Sequence, residues 1–275
     1  MNRKTSLRVK KILAYSVLFI ALAITLVPII WILLTSLKSA TDAFSIPPVW
    51  LFKPQLTGYF GVVDDGFLQT ILNSTIVALS STLLAIFLGT PASYALSRFD
   101  FPGKTDFQYF ILSLYFVPSI AILIPLLVLW KTLGLLGSYI PVIIMHSIMN
   151  IPLVVWVLKG FIDEIPISIE EAALLDGCNY FQTFFRIITP LSVPGITVVG
   201  ILSFIFSWNE FIFALVMTGG DTQTVPIGIQ KYITPAGVMW NKIGAASILG
   251  MIIPLILILL VRERLAQGLS LGAVK

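Results

Sequence analysis

Six runs of apolar residues, each long enough to cross a lipid bilayer, limit what this chain can fold into. They cover residues 12–34, 71–96, 107–130, 139–157, 196–217 and 243–261. A helix needs roughly 20 apolar residues to span the hydrocarbon layer. Inside that layer no water pairs with a free backbone N–H or C=O, so an open sheet is excluded. The chain reads as all-α, a polytopic membrane protein with six transmembrane helices forming a single domain over 1–275. Only 11% of its residues are charged, against roughly 25% in a soluble domain. Prolines inside the runs, such as Pro28, Pro91, Pro118, Pro125, Pro152 and Pro254, are compatible with spans whose neighbours re-satisfy the freed groups. The first run is too long for a signal peptide and lacks a small-residue cleavage site, so it is expected to be a retained span.

The charges that remain are unevenly placed. Arg3, Lys4, Arg8, Lys10, Lys11, Arg98, Lys104, Lys159, Arg186, Arg262, Arg264 and Lys275 fall on one side of the six-span arrangement; Lys38, Lys53, Lys131, Lys231 and Lys242 fall on the other. Cytoplasmic loops carry the excess of Lys and Arg, so both termini and the loop 159–191 are expected in the cytoplasm. The net charge of +4 flanks apolar spans and does not point to nucleic acid. A lone Cys178 excludes an intramolecular disulfide.

The loop 159–191 carries a short acidic segment, Ile167-Ser168-Ile169-Glu170-Glu171-Ala172-Ala173-Leu174-Leu175-Asp176-Gly177. Ser168 and Glu171 have capping-box spacing. Glu170 and Glu171 fall in a first turn, where the helix dipole favours them, and Gly177 stands where a left-handed terminal residue is needed. A second helix is expected from Tyr180 to Ile188, capped by Asn179 with Gln182 and stopped by Pro190. Ala172 and Ala173 would let another protein approach closely, and Leu174 and Leu175 could bury in its cleft. A helix resting on lipid headgroups is the competing description, although acidic residues fit anionic lipid poorly.

Other signals are weaker. Gly103-Lys104-Thr105 suggests a phosphate loop, but that motif needs a glycine where Arg98 stands. Glu210 is the carboxylate deepest in an apolar run, and such residues are functional by default. It could accept sugar hydroxyls with Asn209 while Trp208 stacks on a ring, carry a proton, or pair between helices. His146 and Asn150 lie one helical turn apart, bonding a neighbouring helix or lining a pathway. No second His exists and the lone Cys178 lies in the 159–191 loop, so no metal is expected, and no catalytic constellation is present.

The spacing Glu171-Ala172-Ala173, three residues, Gly177, nine residues, Ile187, then Pro190 resembles the "EAA" loop of bacterial ABC importer permeases. Thr189 stands where that pattern has Leu. Further segments are similar to the carbohydrate branch of the family: Ser36-Leu37-Lys38, Asn73-Ser74, Tyr94-Ala95-Leu96-Ser97-Arg98-Phe99, Gly134-Leu135-Leu136 and Ser207-Trp208-Asn209-Glu210-Phe211. The ending Gly268 to Lys275 is similar to that of maltose-type permeases of the MalG kind. The resemblance implies a type I importer permease fold with no enzymatic activity and no cofactor in this chain. It implies movement of a sugar or related polyol across the bacterial cytoplasmic (inner) membrane by alternating access. It also implies partners: a second homologous permease subunit, two cytoplasmic ATPase subunits that hold ATP and Mg, and an extracytoplasmic sugar-binding protein. The residues Glu170, Glu171, Ala172, Ala173, Leu174, Asp176, Gly177 and Pro190 would couple to the ATPases. Trp208, Asn209, Glu210, His146 and Asn150 are the pathway or gate candidates. Half of a proton-coupled secondary transporter, marked by discontinuous helices and several coupling carboxylates, and an ABC permease for amino acids or peptides are the alternatives.

Overall fold

The computed structural model describes residues 3–271. Four helices are long and apolar enough to cross a membrane unbroken: α1 (Arg3–Ser36), α4 (Phe67–Arg98), α7 (Tyr139–Asp163) and α14 (Trp240–Leu271). Pro28, Pro91, Pro152 and Pro254 lie within them without ending them. Two further candidates are bent pairs, which brings the spans to six if each pair counts once. The last residues of the tail motif, 272–275, lie outside the described residues.

The expected third span is two helices, α5 (Lys104–Tyr115) and α6 (Ser119–Thr132), bent by 88°. Val117-Pro118 is the cause: the residue before a proline is driven out of the helical region, and the proline brings no N–H. Pro118 then becomes the extended N-cap of α6. The expected fifth span, 196–217, is also discontinuous. α11 (Val193–Asn209) ends at Glu210, whose backbone is extended, and α12 (Ile212–Met217) follows. On its other side α11 pairs with the helical stretch 180–191 through a 72° bend.

Contacts divide the chain into two compact units. One comprises residues 1–67 and 229–251. It holds the end of α1, α2 (Ala40–Phe44), α3 (Thr57–Asp64), a small hairpin of β1 (Ile233–Thr234) and β2 (Gly237–Val238), and the start of α14. Here Ser36 bonds the Tyr59 hydroxyl at 2.8 Å. Gly244 lets α14 lie against the end of α1, since a Cβ there would stand 2.9 Å from the Ser36 nitrogen and 3.1 Å from the Ile32 oxygen. Burial pushes the Tyr232 phenol up to about 12, with Asp65 adding to the rise.

The other unit comprises 68–228 and 252–275. Its axis is α7, half buried along its most apolar stretch, whereas that of α1 is not buried at all. Apolar clusters follow α7 from end to end: Val77, Met145 and Phe213; then Ala85, Leu158 and Val199; then Tyr94, Ile162 and Ile188. Asn73 donates to the carbonyls of Asp221 and Gln223, both at 2.9 Å, and Ser74 accepts from the Val225 N–H at 2.8 Å. These two residues hold the segment that leads into α13 (Val225–Gln230).

Gly244→Ala is expected to push α1 and α14 apart, because the new methyl meets backbone that cannot rotate away. Overpacking of this kind costs roughly 1–3 kcal/mol. Thermal unfolding of the purified protein checks it, and an unchanged midpoint would contradict the close approach.

Candidate functional site

Between α7 and the next span lies α8 (Ile167–Leu175). Its inward stripe is Glu170 and Ala173, both buried, with Leu174 half-buried; Glu171, Ala172, Leu175 and Asp176 face outward, and Leu175 is 88% exposed. Spacings of three and four residues put the first set on one face. The helix closes with the Cys178 N–H on Ala173 O at 3.0 Å and the Gly177 N–H on Leu174 O at 3.1 Å. That is a Schellman pair, which requires a left-handed residue at the turn, and Gly177 has φ +90°.

Several expectations for this loop are corrected. Ser168 does not cap α8: the N-cap is Pro166, with no side-chain bond, because proline already fixes the extended entry. Glu170 does not present its charge outward. It is 6% exposed, pairs with Arg98 and accepts the Tyr94 hydroxyl at 3.0 Å. Ala173 likewise faces inward. Pro190 does not stop the second helix. The chain runs through α9 (Tyr180–Thr183), a π-helical turn (Phe184–Ile188) and α10 (Thr189–Leu191). In the π turn the Thr189 N–H reaches Phe184 O, five residues back. A proline lacks the N–H that would continue the α-helical ladder, and a π turn is a common accommodation within a helix. The Asn179–Gln182 capping box forms as expected, at 2.8 and 3.0 Å.

The second cluster surrounds the break after α11. The Glu210 carboxylate accepts the N–H groups of Ile212, Phe213 and Ala214 at 2.8–3.2 Å. These are the donors that a helix start leaves without partners, so Glu210 both ends one helix and starts the next. It also lies 3.0 Å from His146 Nε2, and His146 Nδ1 lies 2.6 Å from Ser207 Oγ. A carboxylate only accepts, so Nε2 carries the hydrogen. In neutral His146 the Ser207 hydroxyl then donates to Nδ1. Ser81, 2.9 Å from Ser207, extends the chain to α4.

His146, Asn150, Ser207 and Glu210 line a cavity of about 320 Å³ together with Leu114, Tyr115, Met149 and Phe206. Asn150 donates to the Ser203 carbonyl at 3.3 Å, across to α11. Trp208 is not presented for ring stacking. It is 4% exposed and lies parallel to Phe204, with centroids 5.5 Å apart. Asn209 is exposed and donates to Ile205 O at 2.8 Å within its own helix. Three of the five pathway candidates therefore meet at the cavity. Ser81, Ser207, Tyr94 and Arg98 were not expected at either cluster as polar partners. An arginine or a serine at a span's end or on its buried face is the signal they leave. Among the described residues, no three His, Cys, Asp or Glu side chains gather as a metal site would require.

A helical membrane subunit with an exposed acidic helix between spans, and a polar-walled cavity among them, is the class this architecture defines. Residues 81–271 match the family model of the binding-protein-dependent transport system inner membrane component, and the chain belongs to that family. It is 35% identical over 264 residues to the sulfoquinovosyl glycerol transport system permease protein SmoH of Agrobacterium fabrum, covering 94% of this chain and 93% of that one. It is 33% identical over 261 residues to the trehalose transport system permease protein SugB of Mycobacterium tuberculosis, covering 91% and 92%. Its fold matches a chain of a bacterial ABC transporter involved in the import of the acidic polysaccharide alginate. The TM-score is 0.76, with 24% identity and coverage of 96% and 98%. The chain is thus a permease with the type I importer fold. Its broken helices are the mark expected of a secondary transporter, but Glu210, the carboxylate within an apolar run, is used as a helix cap.

Glu210→Gln turns an amide NH₂ toward donors that now face a carboxylate. Each buried donor left unpaired costs about 1–3 kcal/mol. The melting temperature should fall, with substrate affinity unchanged in the protein that survives. Weakened affinity at undiminished stability would make Glu210 a substrate contact instead.

Proposed function

We propose that this chain is one membrane half of an ATP-driven importer for a sugar or related polyol. It acts as a transport subunit rather than an enzyme. The carrying observation is α8: its outward face of Glu171, Ala172, Leu175 and Asp176 is free, and Gly177 closes it in a fixed turn. An exposed leucine beside two carboxylates suits a cleft with an apolar floor and basic rim on a soluble partner. In this proposal the partner is a pair of cytoplasmic ATPase subunits that hold ATP and Mg; this chain holds neither. A second homologous permease completes the membrane part, and an extracytoplasmic sugar-binding protein delivers the substrate. The Lys and Arg distribution supports a cytoplasmic side for α8 and both termini.

Sugar as substrate is supported by the relatives, whose names specify a sulfoquinovosyl glycerol and trehalose. The cavity agrees in chemistry, lined by imidazole, amide, hydroxyl and carboxylate groups beside aromatic and aliphatic ones. Alternating access would open it to one side at a time. Amino acids or peptides are disfavoured by the same relatives, whose names specify sugars.

Two outcomes are expected. A Cβ at Gly177 would meet nothing within 4 Å, so a substitution there acts through backbone conformation alone. Gly177→Val should cost on the order of 1 kcal/mol or more in the turn and reduce uptake while the spans still insert. Gly177→Asn, more tolerant of this region, should be milder. Equal uptake by Val and wild-type proteins would remove the turn from coupling. In proteoliposomes with its partners, uptake should require ATP and survive collapse of the proton gradient. Gradient-driven uptake without any ATPase subunit would establish the secondary-transporter alternative.

A further inference from the structure

Arg98, the last residue of α4, is the most heavily bonded cation in the described structure. Its Nε pairs with Glu170 Oε1 on α8. One terminal nitrogen donates to Ile162 O at 2.9 Å and Ile165 O at 2.7 Å. These carbonyls lie at the end of α7 and in the link from α7 to α8. The other terminal nitrogen reaches Ser97 Oγ at 3.2 Å, and Ser97 donates to Asp163 on α7 at 2.5 Å. Tyr94, one turn back on α4, donates to the second Glu170 oxygen. Both charged side chains are nearly sealed, at 9% and 8% exposure. Two long helices and α8 therefore meet on one guanidinium and one carboxylate.

The position of this cluster matters more than its strength. Glu170 and Glu171 are neighbours on α8, one facing inward to Arg98 and the other facing outward. The other inward residue of α8 that is fully buried is Ala173, whose methyl gives little leverage. A push on the outward face that turns or shifts α8 then bears on Glu170, the one polar anchor of that stripe. A buried ion pair resists separation, because parting it strands a charge without water. An apolar contact of one methyl would slide.

We propose that Arg98 and Glu170, with Tyr94, form a rigid polar joint that makes α4 and the end of α7 follow α8, and so act as positioning residues for energy coupling. The inference rests on the docking of ATPases at α8 proposed above and adds the route by which the motion enters the spans. Charge reversal is no test, since a carboxylate at 98 would face the carbonyls of Ile162 and Ile165. Single neutral variants leave a buried charge unpaired and endanger assembly. The informative variant is Arg98→Gln with Glu170→Gln, which removes both charges together and keeps amides able to bond each other and the carbonyls.

The assembled complex carrying this double change is compared with wild type in proteoliposomes. Three quantities are read: ATPase subunits retained on purification, ATP hydrolysis stimulated by the binding protein, and substrate imported per ATP hydrolysed. The expected result is retained ATPases and continued hydrolysis, with import per ATP at least about fivefold lower. Unchanged import per ATP overturns the joint. Loss of the ATPases from the double variant also overturns it, because Glu170 would then belong to the docking surface. The docking reading is checked separately by cross-linking Leu175→Cys to the ATPase on a Cys178→Ser background with Arg98 and Glu170 intact. Absence of that cross-link sinks the docking reading, and the joint with it; its presence beside unchanged coupling in the double variant sinks the joint alone.

Discussion

A helix that stops inside an apolar layer exposes N–H and C=O groups that water does not reach, and each one left alone costs several kcal/mol. The rest of this structure depends on how that cost is met. Where spans run unbroken, the backbone pairs with itself and the sequence needs only apolar side chains. Where they break, a particular side chain must supply the missing partner. Glu210 does so for the start of α12 by accepting three N–H groups. Arg98 does so for the end of α7 by donating to two carbonyls in its last turn and the link beyond. An anion at a helix start and a cation at a helix end also match the sign of the helix dipole. Among the described residues, Glu210 and Arg98 both sit where helices end.

That placement ties the local structure to the proposed function. A charge used as a cap is not free to shuttle protons, because protonating Glu210 would remove an acceptor from α12 and from His146. The same chemistry that supports the fold therefore weighs against gradient coupling through this residue. In the proposed function energy enters elsewhere, at the exposed face of α8. The cavity beside His146 and Asn150 keeps some polar capacity for hydroxyl groups, since the Asn150 amide donates only to Ser203 O in the described structure.

Much of the fold was legible because lipid enforces a simple rule. Four of the six apolar runs became continuous helices at nearly the expected places. The two that did not are broken for different reasons. Pro118 looks like Pro28, Pro91 or Pro152 in the sequence, yet one helix ends before it, Pro118 is the extended N-cap of α6, and the chain turns by 88°. The break at Glu210 has no proline or glycine to announce it. A carboxylate in an apolar run was visible, but whether it would face a ligand or its own backbone depended on a helix start that did not show in the apolar pattern. Gly177 was legible because a left-handed turn needs that residue. Trp208 was misplaced because a tryptophan beside polar residues looks the same whether it stacks on a sugar or on Phe204.

The pair Glu170 and Glu171 shows the limit most directly. Composition gives both the same charge, and the first-turn preference gives both the same dipole benefit. What separates them is about 100° of helical rotation, which turns one toward Arg98 and the other to solvent. Position 98 is distant in sequence, at the end of another span, so no local pattern around 170 could reveal the pairing. The two carboxylates then do opposite work. Glu171 keeps its charge available at the surface, where a basic partner can meet it. Glu170 gives its charge up to Arg98 and thereby fixes how the helix sits on α4. The proposed docking at α8 needs both, since a face that attracts a partner transmits nothing unless its back is fastened to what must move.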